Sequence, residues 1–200
     1  MVVRSRKIRK RLSPEQRREE ILAAAHQVFV TGDPATVTFE DIAAQAGVSR
    51  ALVYNYFGDK GTLLAEVYQQ ALAELDLEVL TTLRSDLPMA SRLHELVGCY
   101  IGFAEQHAGI WHILAHVAAT QHPATLAVRR ARIDAFAAAV DDQPATRVAF
   151  AGLVGMVEEA LSQWLLRPEL TGAELREALG RQAWSGLAGA LDGRLGEYVS

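Results

Sequence analysis

Cysteine is almost absent from this chain of 200 residues, in which Cys99 is the only one. A single thiol excludes an intramolecular disulfide, and a reducing compartment is the natural setting for such a chain. Long apolar runs are also missing: the most apolar stretch, residues 149–166, contains Glu158, Glu159 and Gln163 and is too polar for a membrane span. The basic N-terminus lacks the apolar segment of a signal peptide. We therefore predict a soluble, cytoplasmic protein.

Runs of β-branched residues with period-two alternation are absent, and glycine and proline fall mostly between segments of helical periodicity. The pattern predicts an all-α fold of about nine helices. Three of them lie before residue 58 and a long one covers roughly Lys60 to Arg84. The other five are predicted over about 90–107, 109–120, 123–141, 144–167 and 172–195.

Charge is distributed unevenly along the chain, although the net charge is only −4. Residues 1–60 carry ten Lys and Arg against seven Asp and Glu, whereas residues 61–200 carry ten against seventeen. The first eleven residues contain six basic side chains and no acid. Such an arm is either solvated or lies along phosphates, so the asymmetry leaves nucleic-acid binding open despite the acidic total.

The N-terminal helices have clear start signals. Ser13 and Gln16 form a capping box ahead of the first helix, and Thr38 and Asp41 form one ahead of the second. Gly47 then makes a tight turn before a third short helix. Two short helices joined by such a turn, with a third packed beneath, are typical of a helix-turn-helix, whose second helix enters the DNA major groove. A structural hairpin is the alternative for this pattern alone.

Three side chains after the turn favour DNA binding over a hairpin. Tyr54 and Tyr56 lie on the expected recognition helix, where Val53 and Phe57 already occupy the inward face, and phenol groups there suit phosphate contacts. Lys60 lies in the first turn of the next helix, where the helix dipole disfavours a cation. A phosphate at that point would reverse the sign of the interaction.

These residues form a longer pattern that resembles the DNA-binding signature of TetR-family transcriptional regulators. Residues 38–49 read Thr-x-x-Asp-Ile-Ala-x-x-Ala-Gly-Val-Ser, and residues 54–64 read Tyr-Asn-Tyr-Phe-Gly-Asp-Lys-x-x-Leu-Leu. The resemblance spans about residues 14–64, and beyond it the likeness is architectural. It implies a basic arm over residues 1–12, a helix-turn-helix domain over 13–60, and an effector-binding and dimerisation domain over 61–200.

The resemblance also implies roles for individual residues. Phosphates would be held by Thr38, Tyr54, Tyr56 and Lys60. The groove would be faced by Arg50, Ala51, Leu52 and Asn55, with Arg50 placed for a bidentate guanine contact, and Ser49 belongs to the same DNA-binding set. Leu52 departs from the small or polar residue often found there, and Gly61 replaces a commoner acidic residue.

Regulators of this type bind DNA as homodimers, and their last two long helices usually form the interface. Small residues on one side of the penultimate helix and an apolar stripe on the last helix fit that expectation, although such stripes also form ordinary cores. The tentative interface comprises Ala151, Gly152, Gly155, Leu179, Ala183 and Leu187.

Five of the six histidines lie within residues 94–122. His112 and His116 have a spacing that could bind zinc if further ligands converged, but no metalloprotease-type motif accompanies them, so we predict no metal site and no cofactor. An apolar effector pocket is the preferred interpretation of this region. Its tentative lining is Tyr100, Phe103, His107, Trp111, His112, Phe136 and Met156.

The sequence thus predicts a ligand-responsive repressor that binds a palindromic operator as a dimer and is not an enzyme. Its partners would be double-stranded operator DNA and an unknown, partly apolar small molecule. An activator or an effector-independent DNA-binding regulator is the alternative. A metal-dependent enzyme using residues 94–122 is a distant one, because no catalytic motif supports it.

Overall fold

The computed structural model describes residues 12–111, 113 and 122–191, with the side chains of 187–191 left out. Nine helices of eight or more residues lie within these ranges. They are α1 (Pro14–Thr31), α2 (Phe39–Ala46), α3 (Arg50–Phe57), α4 (Lys60–Ala71), α5 (Ala73–Leu83), α6 (Met89–Gln106), α7 (Pro123–Ala138), α8 (Pro144–Leu166) and α9 (Gly172–Leu191). Residues 108–111 are helical as well. The all-α prediction is confirmed, and none of the described helices is long and apolar enough to cross a membrane.

The N-terminal helices begin where the capping signals predicted. The Ser13 hydroxyl accepts a hydrogen bond from the Gln16 amide at 3.2 Å, and the Gln16 side chain accepts one from the Ser13 amide at 3.1 Å. Thr38 and Asp41 form the same reciprocal pair at the start of α2. Each pair satisfies two amide groups that the first turn of a helix leaves without partners.

The helix-turn-helix packs on α1 and α4. Gly47 ends α2 with φ of 64°, a left-handed conformation that glycine adopts without strain. Ile42, Val53 and Phe57 are buried together with the apolar side of α1. Arg18 of α1 binds both carboxylate oxygens of Glu66 in α4 at 2.5 Å, and its guanidinium lies 4.8 Å from the centre of the Phe57 ring.

The long helix predicted over Lys60–Arg84 is two helices, and this prediction is wrong in that respect. Leu72 separates α4 from α5 with φ of −94° and ψ of −1°, so the chain bends there without reversing. No proline or glycine marks the bend. Leu72 is fully buried and Asp76, one turn later, binds Arg132 of α7, so tertiary contacts set the bend.

The C-terminal helices assemble around α6 and α7. α9 packs mainly on α6 and α8, α7 packs on α4 and α8, and α5 packs on α6. One continuous apolar core runs from α1 to α9, and it includes Leu179 and Ala183 of the last helix. The core of the helix-turn-helix is therefore continuous with that of the larger helical unit.

Candidate nucleic-acid interface

The outer face of α3 carries the residues expected to read DNA. Val53 and Phe57 point into the core, and the other residues of the helix are exposed or half-buried. Tyr54 is 60% exposed. The exposed set is Arg50, Ala51, Tyr54 and Asn55, and the half-buried set is Leu52 and Tyr56. The structure thus places the predicted groove-facing residues on one helix and largely on one accessible side.

Arg50 is held by an acid of the preceding helix. Its Nη1 lies 3.0 Å from Oε1 of Glu40, and both side chains are more than half exposed. An exposed ion pair of this kind contributes about 1 kcal/mol at most, so a stronger partner can displace it. Ser49 precedes Arg50 and accepts a hydrogen bond from the Leu52 amide, so its hydroxyl oxygen already caps α3.

Thr38 also has an intramolecular partner. Its hydroxyl donates to Oδ2 of Asp41 at 2.6 Å, and its amide donates to the same oxygen at 2.9 Å. These two hydrogen bonds lower the pKa of Asp41 below its ordinary value because they stabilise the charged carboxylate. Thr38 would have to exchange Asp41 for a phosphate in order to contact DNA through its hydroxyl.

Lys60 has a structural partner that the sequence did not reveal. Its Nζ donates to the carbonyl oxygens of Pro34 at 3.2 Å and Ala35 at 2.9 Å. The loop between α1 and α2 therefore compensates the cation at the start of α4. Lys60 therefore has partners within the fold even without a phosphate.

The start of α4 meets the start of α7 through a histidine. Nε2 of His122 lies 3.2 Å from Oδ1 of Asp59, and Nδ1 accepts a hydrogen bond from the Ala124 amide. A Cβ atom at Gly61 would lie 2.4 Å from the His122 ring, well inside contact distance. Glycine at position 61, which departs from the family pattern, is therefore what lets the ring approach α4.

Asp59 serves both helices at this contact. Its carboxylate accepts hydrogen bonds from the amide and the hydroxyl of Thr62 and so caps α4. The pKa of Asp59 is lowered, chiefly by the hydrogen bond from the Thr62 amide and to a smaller extent by His122. The helix that begins with Lys60 and the helix that begins after His122 thus share one carboxylate.

A second contact joins the N-terminal helices to the rest. A Cβ atom at Gly109 would lie 2.7 Å from Cγ1 of Val30 in α1. Nearby, burial and the proximity of His107 lower the pKa of His26. The segment between α6 and α7 therefore touches α1 at one end and α4 at the other.

Among the cavities lined by residues that the structure describes, none brings together the residues predicted to line an effector pocket. Phe103 and His107 line a cavity of about 130 Å³, and Phe136 lines another of about 390 Å³. The Trp111 indole donates to the hydroxyl of Ser162 at 3.0 Å. Met156 is half-buried against the core, and His112 lies outside the described residues. The phenol of Tyr100 instead joins a buried polar cluster.

That polar cluster is centred on Arg132 of α7. Nε of Arg132 donates to both oxygens of Asp76 at 2.8 and 2.9 Å. Nη1 donates to the Tyr68 hydroxyl at 2.9 Å and to Glu158 at 3.3 Å, and Nη2 donates to the Tyr100 hydroxyl at 3.0 Å. We name these five residues the Arg132 cluster. It links α7 to α4, α5, α6 and α8.

Sequence reasoning missed this cluster. Burial raises the pKa of Tyr68 to about 12, so its phenol stays protonated. Burial also raises the pKa of Asp76, and Arg132 opposes that shift. The signal in the sequence is Glu158, an acidic residue within the mostly apolar stretch 149–166.

No group of three potential metal ligands is found among the described residues, and His112 and His116 lie outside them.

The tentative dimer-interface residues are in two different environments. Ala151 and Gly152 of α8 are exposed, and a Cβ atom at Gly155 would meet open space. Leu179 and Ala183 are buried inside the protomer, where they pack in its core, and the side chain of Leu187 is not described.

Comparison with known proteins agrees with this architecture. Residues 21–67 match the family described as bacterial regulatory proteins, tetR family. The transcriptional activator FasR of Mycolicibacterium smegmatis is 33% identical over 95 residues, which are 48% of this chain and 43% of FasR. The nucleoid occlusion factor SlmA of Haemophilus influenzae is 23% identical over 108 residues, 54% of this chain and 50% of SlmA. The chain thus spans about half the length of the curated relatives it matches.

A solved structure covers more of the fold. The TetR-like regulator from Rhodococcus sp. RHA1 has a TM-score of 0.63 and 25% identity, and covers 90% of this chain and 100% of its own. Residues 21–67 of this chain are thus similar to the TetR family of bacterial regulatory proteins, and its all-helical fold is similar to that of a TetR-like regulator.

Proposed function

We propose that this protein is a ligand-responsive repressor that binds a palindromic operator as a homodimer. The observation that carries the proposal is the surface of α3, whose exposed face combines a guanidinium, a carboxamide, a phenol and small apolar groups. Hydrogen-bonding and apolar side chains on one helix face are what direct reading of the major groove requires. The family match over residues 21–67 covers this helix and supports the same interpretation.

On operator DNA, Arg50 exchanges Glu40 for a guanine edge, and Asn55 lies beside it for an adenine. Ala51 and Leu52 are placed to contact thymine methyl groups. Arg50 and Lys60 are bound in the free protein by groups that carry at most one negative charge. A phosphate or a guanine edge can therefore compete with those partners through charge-assisted hydrogen bonds.

Phosphate contacts set the register of α3 in the groove. Tyr54 and Tyr56 flank Asn55 and offer phenol hydroxyl groups, while Thr38 and Ser49 lie at the starts of α2 and α3. Lys60 adds a charge near the start of α4. Contacts of this kind position the helix without specifying sequence.

The dimer is proposed to form through α8 and α9. Four of the seven large apolar side chains exposed among the described residues lie on or between these helices: Val148, Leu166, Leu170 and Trp184. Ala151, Gly152 and Gly155 lie on α8, and the open space beside the two glycines leaves room for close approach. Since Leu179 and Ala183 already pack inside the protomer, α9 would contribute its outer side.

Response to a ligand is proposed to pass through α7, whose N-cap residue His122 contacts Asp59 and lies against Gly61. A ligand that binds one arrangement of α7 better than another shifts the population of the two arrangements. A movement of α4 changes the separation of the two recognition helices in a dimer, and operator affinity depends on that separation.

Genomic fragments selected by the purified full chain test the proposal. We expect an inverted repeat whose half-sites are centred about 10 bp apart or a multiple of that spacing. Placed over a reporter promoter, the repeat should lower expression when the protein is present. Increased expression would favour the activator alternative, which the name of the relative FasR makes the second candidate. Recovery of fragments without a shared sequence would contradict specific DNA binding.

A further inference from the structure

A cavity of about 340 Å³ opens between α7 and α8, and none of its lining residues belongs to the predicted effector set. Its apolar walls are aliphatic and include Leu126, Ile133 and Val154. Three arginines line it as well, at positions 129, 130 and 132. The one carboxylate in the lining, Asp134, lies 3.5 Å from Nε of Arg147.

The three arginines differ in what they already bind. Every nitrogen of Arg132 donates a hydrogen bond within the Arg132 cluster. Arg129 makes one ion pair, in which Nη1 lies 3.4 Å from Oε2 of Glu158 without forming a hydrogen bond. The side chain of Arg130 is exposed and makes no hydrogen bond or ion pair with any residue that the structure describes.

Glu158 is shared between two cations. Its Oε1 accepts from Arg132 and its Oε2 faces Arg129, so Arg132 keeps a carboxylate partner if Arg129 turns toward the cavity. Arg129 and Arg130 therefore offer guanidinium donors above aliphatic walls. Guanidinium groups bind carboxylates and phosphates through paired hydrogen bonds.

We propose that this cavity binds a small amphipathic anion, with its carboxylate or phosphate on Arg129 and Arg130 and its aliphatic part between α7 and α8. The identification of this anion as the effector rests on the proposed function, but its binding does not. A cavity of this size lies within the range of small-molecule sites. Because α7 also begins at the His122 contact with α4, a ligand here acts on the helix that touches the DNA-binding unit.

Calorimetric titration of the full chain tests the site. Decanoate, decyl phosphate and the uncharged decan-1-ol serve as probes, each below its aggregation concentration. We expect both anions to bind and the alcohol to bind at least tenfold more weakly. The stronger of the two anions identifies the headgroup. Equal binding of decanoate and decan-1-ol would overturn the proposal.

Two variants locate the headgroup. Arg130→Ala and Arg129→Ala should each weaken anion binding roughly 10- to 100-fold, the effect of removing a charge-assisted hydrogen bond. Arg181→Ala is the matched control, since Arg181 is exposed on α9 and paired with Glu177. If Arg129→Ala fails to fold, Arg130→Ala still tests the site, because the Arg130 side chain makes no hydrogen bond or ion pair with any described residue.

Two other results separate the site from its regulatory role. If the arginine variants abolish dimerisation and leave decanoate binding unchanged, the arginines face a partner protomer and the proposed site is wrong. If decanoate binds as expected but leaves operator affinity unchanged, the ligand is not the effector and the regulatory assignment is overturned. Failure of DNA binding without any ligand would instead contradict the proposed function alone.

Discussion

Replacement of Arg132 by methionine removes the centre of the Arg132 cluster while keeping an unbranched apolar side chain of similar length. Arg132 is 7% exposed, and its guanidinium is the only cation that contacts Asp76 among the described residues. In the variant, Glu158 would still face Arg129, whose Nη1 lies 3.4 Å from Oε2 of Glu158 but forms no hydrogen bond. The change therefore leaves two mostly buried carboxylates and two phenols short of a partner.

Removal of one partner from a buried ion pair costs about 3–5 kcal/mol, because the remaining charge stays desolvated. A chain of this length loses about 2–4 °C of midpoint temperature per kcal/mol. We therefore expect the unfolding midpoint of Arg132→Met to fall by roughly 6–20 °C at neutral pH. Arg147→Met is the control: Arg147 pairs with Asp134 and Asp142 at the surface, where such pairs contribute about 1 kcal/mol at most.

The pH dependence distinguishes charge from packing. Burial already raises the pKa of Asp76, and loss of Arg132 removes the group that opposes this shift. An acid with a raised folded-state pKa is most compatible with folding below its ordinary value, and it destabilises the fold as pH rises through the raised value. The deficit of Arg132→Met relative to wild type should therefore shrink as the pH falls from 7.5 toward 5, as measured by circular dichroism. An equal deficit at both pH values would refute the reasoning and assign the loss to packing.

The remaining predictions concern DNA binding and assembly. Lys60→Ala should weaken binding similarly for all sequences and reduce the salt slope by about one unit; an unchanged slope would limit Lys60 to its contacts with the loop carbonyls. Arg50→Ala should relax specificity at one operator position at a cost of about 1–3 kcal/mol, whereas a uniform loss in a panel of operator variants would make it a backbone contact. Gly61→Ala should lower operator affinity because the new Cβ meets the His122 ring, and His122→Ala in the same chain should restore it; a loss that persists would exclude the ring as the cause. Gly155→Glu should yield monomers on sedimentation, and a persistent dimer would place the interface elsewhere.

Local signals in the sequence were enough to place the start of the helix-turn-helix. The capping boxes at Ser13 and Thr38 and the left-handed Gly47 are short-range features. Their residues alone therefore locate the starts of α1 and α2 and the end of α2. The inward positions of Val53 and Phe57 follow from helical periodicity in the same way. These predictions are confirmed because the groups that decide them are neighbours in the sequence.

Features set by distant contacts could not be predicted in this way. The bend at Leu72 has no local marker, and the Arg132 cluster joins Arg132 to residues up to 64 positions away in the sequence. The partners of Lys60 come from a loop 25 and 26 positions earlier in the chain. The predicted effector residues share an apolar character, but apolar side chains fill a core as readily as they line a cavity.

The relative affinity for a selected inverted repeat and for a scrambled duplex of equal length and composition tests the central claim most directly. Fluorescence anisotropy with the full chain at physiological salt measures both affinities. The account predicts that the inverted repeat binds at least about 10³-fold more tightly than the scrambled duplex, as is typical of specific regulators. Equal affinity for the two duplexes would contradict the assignment of α3 as a helix that reads sequence.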